Sequence, residues 1–126
     1  MPSSSPHPYL SVVVPLYNEE ESVSTLVDRI LEAVHPQGLS FEVVLVDDGS
    51  GDRTWEIIED LVANRTNLRG VKLQRNFGQT SAMVAGFEQA RGEIIVTLDG
   101  DLQNDPADIP MLLDKIDQGY DIVSGW

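Results

Sequence analysis

The sequence contains no cysteine, which removes disulfides and thiolate metal sites from consideration. Cations are scarce: 8 Lys and Arg stand against 21 Asp and Glu, for a net charge of −13. A surface of that sign repels nucleic acid and anionic lipid headgroups, so neither is expected as a direct partner. No apolar run approaches the roughly 18 residues of a membrane-spanning helix. Two phosphate-binding signatures are also missing. There is no G-x-x-x-x-G-K-[ST], and after the first apolar run the chain reads Leu16-Tyr17-Asn18-Glu19-Glu20-Glu21 instead of G-x-G-x-x-G. A dinucleotide pyrophosphate would meet three acids there, where it needs bare backbone donors.

What is present is a regular alternation of strand and helix patterns, within a length of 126 residues that suits one domain. Residues 1–9, polar and proline-rich, are expected to form a disordered tail, with the folded domain running from 10 to 126. Leu10–Leu16 reads as a strand buried on both faces, with Pro15 near its end where a ladder donor can be spared. Asn18 can cap the following helix, with Glu21 three residues on completing a capping box; Val23, Leu26, Val27, Ile30, Leu31 and Val34 then share one face. His35-Pro36-Gln37-Gly38 ends that helix, and Phe41–Val46 is a second buried strand.

Further along, Trp55, Ile58, Leu61 and Val62 mark a second helix, and Val71–Gln74 a short third strand. A third helix from about Thr80 to Arg91 is rich in small residues that allow close approach to a sheet, with Met83 and Phe87 as its larger contacts. Ile94–Leu98 is the fourth strand, Asp105-Pro106 starts a fourth helix, and Tyr120–Ser124 is the fifth strand. Repeated βα units predict an α/β fold with a doubly wound, mostly parallel sheet and right-handed crossovers. Because the pattern stops at Trp126 straight after a strand, the chain is expected to be a fragment.

Three acidic clusters fall at the predicted carboxyl ends of strands, the rim on which open α/β sheets place their ligands. Asp99, Asp101 and Asp105 crowd the end of strand four; a divalent cation held by Asp99, Asp101 and the Gln103 carbonyl accounts for them, as does a solvated turn. Glu19 beside Asn18 can accept from a base edge or ribose, or it is a helix-start acid facing the positive end of the dipole. Asp47 and Asp48 can accept from the N–H of a uracil or guanine edge, or they belong to a plain turn. Arg75 is either a phosphate clamp or a partner in a salt bridge. His7 and His35 have no nucleophile or ligand partner in sequence, and Trp55 at helical spacing reads as packing.

Val14-Pro15-Leu16-Tyr17-Asn18-Glu19, Val46-Asp47-Asp48-Gly49-Ser50 and Asp99-Gly100-Asp101-Leu102-Gln103-Asn104-Asp105-Pro106, in that order, resemble a family 2 glycosyltransferase. With Arg75-Asn76-Phe77-Gly78 upstream, the Asp-x-Asp-Leu-Gln-x-Asp-Pro form resembles the branch that loads sugars onto polyprenyl phosphate. That likeness runs from Ser11 to Trp126. It implies the nucleotide-binding half of a GT-A fold and a nucleotide-sugar donor of the UDP-glucose or GDP-mannose type. It also implies Mg²⁺ or Mn²⁺, a polyprenyl phosphate acceptor and inversion at the anomeric carbon. Carried over residue by residue, Pro15, Tyr17, Asn18 and Glu19 line the nucleoside site and Asp47 contacts the base. Arg75, Asp99 and Gly100 complete the nucleotide-binding set, while Asp99, Asp101 and Gln103 hold the metal. The catalytic acid, acceptor-side helices and membrane segments of the family are expected beyond Trp126, which would leave this chain soluble and inactive alone. The full-length protein would then work at the cytoplasmic face of a membrane. Gly51 stands where the family often has Ser or Thr. A phosphoacceptor receiver domain, also α/β and acidic, carries its acid pair after the first strand and needs a late lysine; here the pair follows the second and no lysine follows Lys115.

Overall fold

Seven residues, Leu10–Leu16, form strand β1, and all of them are buried. The computed structural model describes residues 8–98 and the strand Val123–Ser124. Within it β1 is followed by α1 (Val23–Val34), β2 (Phe41–Asp47), α2 (Thr54–Asn64), β3 (Leu68–Lys72), α3 (Gln79–Gln89), β4 (Ile94–Thr97) and β5 (Val123–Ser124). The strands make one sheet in the order β3-β2-β1-β4-β5, and every pairing is parallel.

The expected doubly wound sheet is therefore present, and its winding explains which side chains face where. Leu10, Val12, Val14 and Leu16 of β1 join Val43 and Leu45 of β2 against α1 and α2. The intervening Val13, Val44 and Val46 pack with Ala82 of α3 on the opposite face. Right-handed crossovers require this change of face when the chain stops moving toward β3 and returns to lay β4 on the other side of β1. The reversal sits between β1 and β4, where Leu10 pairs with Ile94 and Val13 with Thr97. A crevice at the carboxyl ends of these strands is the ligand position of such sheets.

Several expectations need correction. Tyr9, expected in the tail, is tied to the sheet: its N–H donates to the Ser40 carbonyl (3.0 Å) and its carbonyl accepts from Ile94 (3.0 Å). The third strand is Leu68–Lys72 instead of Val71–Gln74, because Leu68 is buried and pairs with Val43, and the register ends with Lys72 opposite Asp47. No capping box opens α1. Asn18 has φ 52°, a left-handed conformation unsuited to an N-cap, and its side-chain oxygen accepts from Gly51 instead. The helix starts later, at Val23, after a turn in which the Glu19 carbonyl receives Ser22 and Val23.

Helix α3 touches the sheet through Ala82 and Gly86, whereas Phe87 is 42% exposed and Met83 only half-buried. A Cβ on Gly86 would lie 2.4 Å from Val13 Cγ1, so the absent side chain sets the helix-to-sheet distance. The helix expected from Asp105 lies outside the described residues, as does Tyr120 to Ile122. Among the described residues no helix is long and apolar enough to cross a membrane.

At the amino-terminal edge of the sheet, a buried acid ties four segments together. Glu42 accepts from the Ser11 hydroxyl (2.6 Å), the Arg91 amide (2.7 Å) and the guanidinium groups of Arg69 (3.1 Å) and Arg91 (3.4 Å). Burial pushes its pKa up, but the Ser11 hydroxyl, the Arg91 N–H and Arg69 together outweigh that and hold the carboxyl below its ordinary value.

Candidate functional site

The carboxyl rim is built from the loops after β1, β2 and β3, and they are cross-linked. The Asp48 N–H reaches back to the Leu16 carbonyl (2.8 Å), and the Leu73 N–H donates to the Asp47 carbonyl (2.9 Å). Beyond β1, Asn18 and Glu19 meet the loop after β2: the Asn18 N–H donates to Ser50 Oγ and the Glu19 N–H to Thr54 Oγ1, each at 2.8 Å. An open concavity of about 400 Å³ lies beside this junction, lined by Asn18, Glu19, Glu20, Glu21, Ser22 and Asp52.

The adjacent acids Asp47 and Asp48 do different things. Asp48 is 3% exposed, and its two oxygens accept the N–H groups of Phe77 (2.8 Å) and Gly78 (3.0 Å). It fixes the loop before α3, with each of its oxygens already engaged by a backbone amide. Asp47 is fully buried; its Oδ1 accepts from the Ser50 N–H at 3.2 Å, and its Oδ2 has no partner among the described residues. A buried carboxylate oxygen without a donor is costly, by roughly 1–3 kcal/mol, so this oxygen is the acceptor of the pair with a bond still to make. Among the described residues only one oxygen of the two buried acids lacks a partner, unlike the open acid pair of a phosphoacceptor pocket.

Gly49 makes this division possible. With φ 73°, it turns the chain so tightly that a Cβ would stand 2.2 Å from the Arg75 carbonyl carbon. At Gly51, by contrast, a Cβ would meet nothing within 4 Å, so the Ser or Thr expected there would fit.

The other expected nucleotide-binding residues are distributed as follows. Pro15 is buried in β1 opposite Val46, while Tyr17 is 47% exposed at the strand's end. Glu19 is half-buried and its Oε2 accepts from the Ser22 hydroxyl at 2.7 Å. Arg75 forms no salt bridge among the described residues; its guanidinium lies 4.9 Å from the Phe77 ring centroid and is exposed. Asp99, Gly100, Asp101 and Gln103 lie outside the described residues. Among the described residues no three His, Asp or Glu gather in a way that could hold a metal ion. The Leu98 N–H donates to the Val13 carbonyl (3.0 Å), which brings the end of β4 up to the rim. Two carboxylates and an amide carbonyl are hard ligands of the sort Mg²⁺ and Mn²⁺ take.

Sequence reasoning missed three contributors: Ser50, Asp52 and Thr54. Asp52 accepts from the Thr54 N–H (2.9 Å) and hydroxyl (2.5 Å). Burial raises its pKa, but those two Thr54 bonds and the Glu20 N–H prevail and keep it below the ordinary value. An Asp-x-Thr spacing before an amphipathic run was a legible helix-start signal. Its reach across to Glu19 and Glu20 was not, since nothing local encodes it.

Comparison with known proteins places this geometry among others. The family model described as Glycosyl transferase family 2 matches residues 11–126. An undecaprenyl-phosphate 4-deoxy-4-formamido-L-arabinose transferase of Edwardsiella ictaluri is 49% identical over 117 residues, covering 91% of this chain and 36% of that protein. A protein of the same name from Pseudomonas fluorescens is 45% identical over 116 residues, covering 91% and 34%. The chain thus spans only about 36% of the length of such relatives. Among solved structures, S. aureus TarS in complex with UDP-GlcNAc superposes with a TM-score of 0.71 at 32% identity, covering 86% of this chain and 31% of that one. The mannosyltransferase PcManGT from Pyrobaculum calidifontis, in complex with GDP-Man and Mn²⁺, gives 0.69 at 30% identity, covering 81% and 30%.

Proposed function

This chain belongs to glycosyl transferase family 2, and we propose that it is the donor-binding part of an inverting enzyme that moves a sugar from a nucleotide-sugar to a polyprenyl phosphate. Its sheet is that of the GT-A fold. The observation that carries the reading is Asp47, a fully buried carboxylate at the end of β2 whose Oδ2 lacks a donor among the described residues. An N–H on the edge of uracil or guanine supplies that donor, and no phosphate can, since two anions would then meet. The nucleoside accordingly sits over β1 and β2, with Tyr17 and Glu19 beside it and Pro15 in the strand beneath. The diphosphate extends toward β4, with Arg75 on the β3 side.

In the reaction, an oxygen of the lipid phosphate attacks the anomeric carbon as the bond to the nucleoside diphosphate breaks, and the leaving group keeps the electron pair. Asp99, Asp101 and Gln103 would hold a divalent cation, Mg²⁺ or Mn²⁺, which offsets the charge that the leaving diphosphate gains. Binding of the base and ribose by the residues over β1 and β2 fixes the sugar relative to the acceptor, and such orientation is worth many orders of magnitude in rate. The names of the relatives favour undecaprenyl phosphate as the lipid and 4-deoxy-4-formamido-L-arabinose as the sugar. A lipid acceptor puts the work at a membrane surface; we assign acceptor binding to the part of the relatives' length that this chain does not span.

Calorimetric titration of UDP and GDP into this chain with Mg²⁺, with Mn²⁺ and with EDTA tests the reading. Binding should require the metal, and preference between the two bases identifies the donor class. Equal affinity in EDTA, or no binding of either nucleotide, would refute it.

A further inference from the structure

Asn18, Glu19 and Glu20 are consecutive, and the backbone N–H of each is taken by a different side chain of the loop after β2. Asn18 donates to Ser50 Oγ (2.8 Å), Glu19 to Thr54 Oγ1 (2.8 Å) and Glu20 to Asp52 Oδ2 (3.3 Å). The traffic runs both ways, since the Gly51 N–H donates to Asn18 Oδ1 at 2.8 Å. The Thr54 hydroxyl that accepts from Glu19 donates its own proton to Asp52 Oδ1, so these bonds stand in series and polarise one another. Thr54 is fully buried, which shields its part of the chain from competing water. Asn18 meanwhile holds φ 52°, a left-handed conformation that asparagine tolerates better than most other non-glycine residues.

Successive N–H groups in a loop that leads into a helix are what an anion ordinarily binds. Here the Asp52 carboxylate and two hydroxyls already occupy them. Resting on the donor-binding reading above, we propose that Ser50, Asp52 and Thr54 are positioning residues with a double effect. They lock the loop after β1 so that Tyr17 and Glu19 flank the oxygen of Asp47 that is unpartnered among the described residues. They also fill the amides that a diphosphate would otherwise take, so that this side of the rim receives the nucleoside and turns the phosphates away toward β4.

Thr54→Val keeps the side-chain shape and removes the hydroxyl, Ser50→Ala removes the acceptor of the Asn18 amide at a half-buried position, and Thr54→Ser keeps the hydroxyl. Amide exchange at residues 18–20 is followed by NMR on this chain, together with the affinities for UDP, UMP, GDP and GMP in Mg²⁺. Exchange should quicken about tenfold or more at Glu19 in Thr54→Val and at Asn18 in Ser50→Ala, with the Val13 amide unmoved. Nucleotide affinity should fall by about five- to tenfold for the monophosphates and by no more than that for the diphosphates, which gain the freed amides, and Thr54→Ser should restore both readouts. Unchanged nucleotide affinity in both Thr54→Val and Ser50→Ala overturns the positioning role, as does a loss confined to the diphosphates. A wild-type Glu19 amide that already exchanges as fast as in Thr54→Val overturns it too. A wild-type chain that binds none of the four nucleotides overturns the donor-binding reading itself, and the positioning role with it.

Discussion

Asp47 and Asp48 are neighbours on the backbone and both are buried, yet only Asp48 has both carboxylate oxygens bonded among the described residues. Asp48 holds the Phe77 and Gly78 amides, while Asp47 keeps one buried oxygen without a donor among the described residues. We predict that the two substitutions separate cleanly. Asp48→Ala should cost roughly 2–4 kcal/mol in urea unfolding, because two amides lose a charged acceptor. Asp47→Asn should change stability by less than about 1 kcal/mol while lowering nucleotide affinity by about tenfold or more. Similar stability losses in both variants would mean that Asp47 is a structural acid like its neighbour.

Two glycines with left-handed φ make a matched pair. Gly49 (φ 73°) and Gly38 (φ 70°) share a conformation, but a Cβ on Gly49 would run into the Arg75 backbone, whereas Gly38 has open space. Gly38→Ala is predicted to cost only the conformational penalty of roughly 1–2 kcal/mol. Gly49→Ala should cost several times as much or prevent folding, since backbone cannot move aside. Thermal unfolding of the two variants decides the point; equal shifts in Tm would show the loop after β3 to be free of β2.

Strands β1, β2 and β4, the three described helices and the parallel sheet were legible in the sequence, because buried strands demand unbroken apolar runs and amphipathic helices repeat every 3.6 residues. The edge strand was misplaced for the same reason: Leu68–Lys72 alternates between buried and exposed, and the more apolar Val71–Leu73 drew attention away from it. At the site, the acids of the rim could be named but not told apart. Whether Asp47 or Asp48 is free depends on amides at Phe77 and Gly78, some thirty positions away (|i−j| of 29 and 30). Likewise Asn18 has the chemistry of a helix cap, and only its contact with Ser50 and Gly51 diverts it.

Glu42 makes stability depend on acidity. Its folded pKa is lowered, so the folded chain releases this proton more readily than the unfolded one. The contribution is complete above the unfolded value near 4.5 and disappears as pH falls through the folded value below it. Glu42→Gln should lose roughly 1–3 kcal/mol at neutral pH, since the charged acceptor is lost while the part-exposed Arg69 and Arg91 can turn to water. It should also flatten the stability profile just below pH 4.5 relative to wild type. An unchanged slope there would assign acid sensitivity to other carboxylates.

The acidic stretch after β4 is open to a direct test by charge removal. Asp101→Asn should abolish metal-dependent binding of nucleoside diphosphate without altering Tm, while Asp114→Asn, expected on the polar side of a helix, should leave binding intact. If the two variants bind alike, the stretch is a solvated turn and the metal has no home there.

The seam between β1 and β4 has a consequence for how the chain is made. During synthesis β1 and β2 can pair early, but the far side of β1 stays an open edge, apolar but for Ser11, until Ile94–Thr97 leave the ribosome. At the roughly 5–20 residues per second of translation, the interval between Asp47 and Ile94 lasts a few seconds, long compared with the collapse of a chain this size. Throughout it, Leu10 to Val13 can recruit a wrong strand from a neighbouring nascent chain. The centre of the finished sheet is thus the most vulnerable surface of the unfinished one, and holdase chaperones should find their target at residues 10–16.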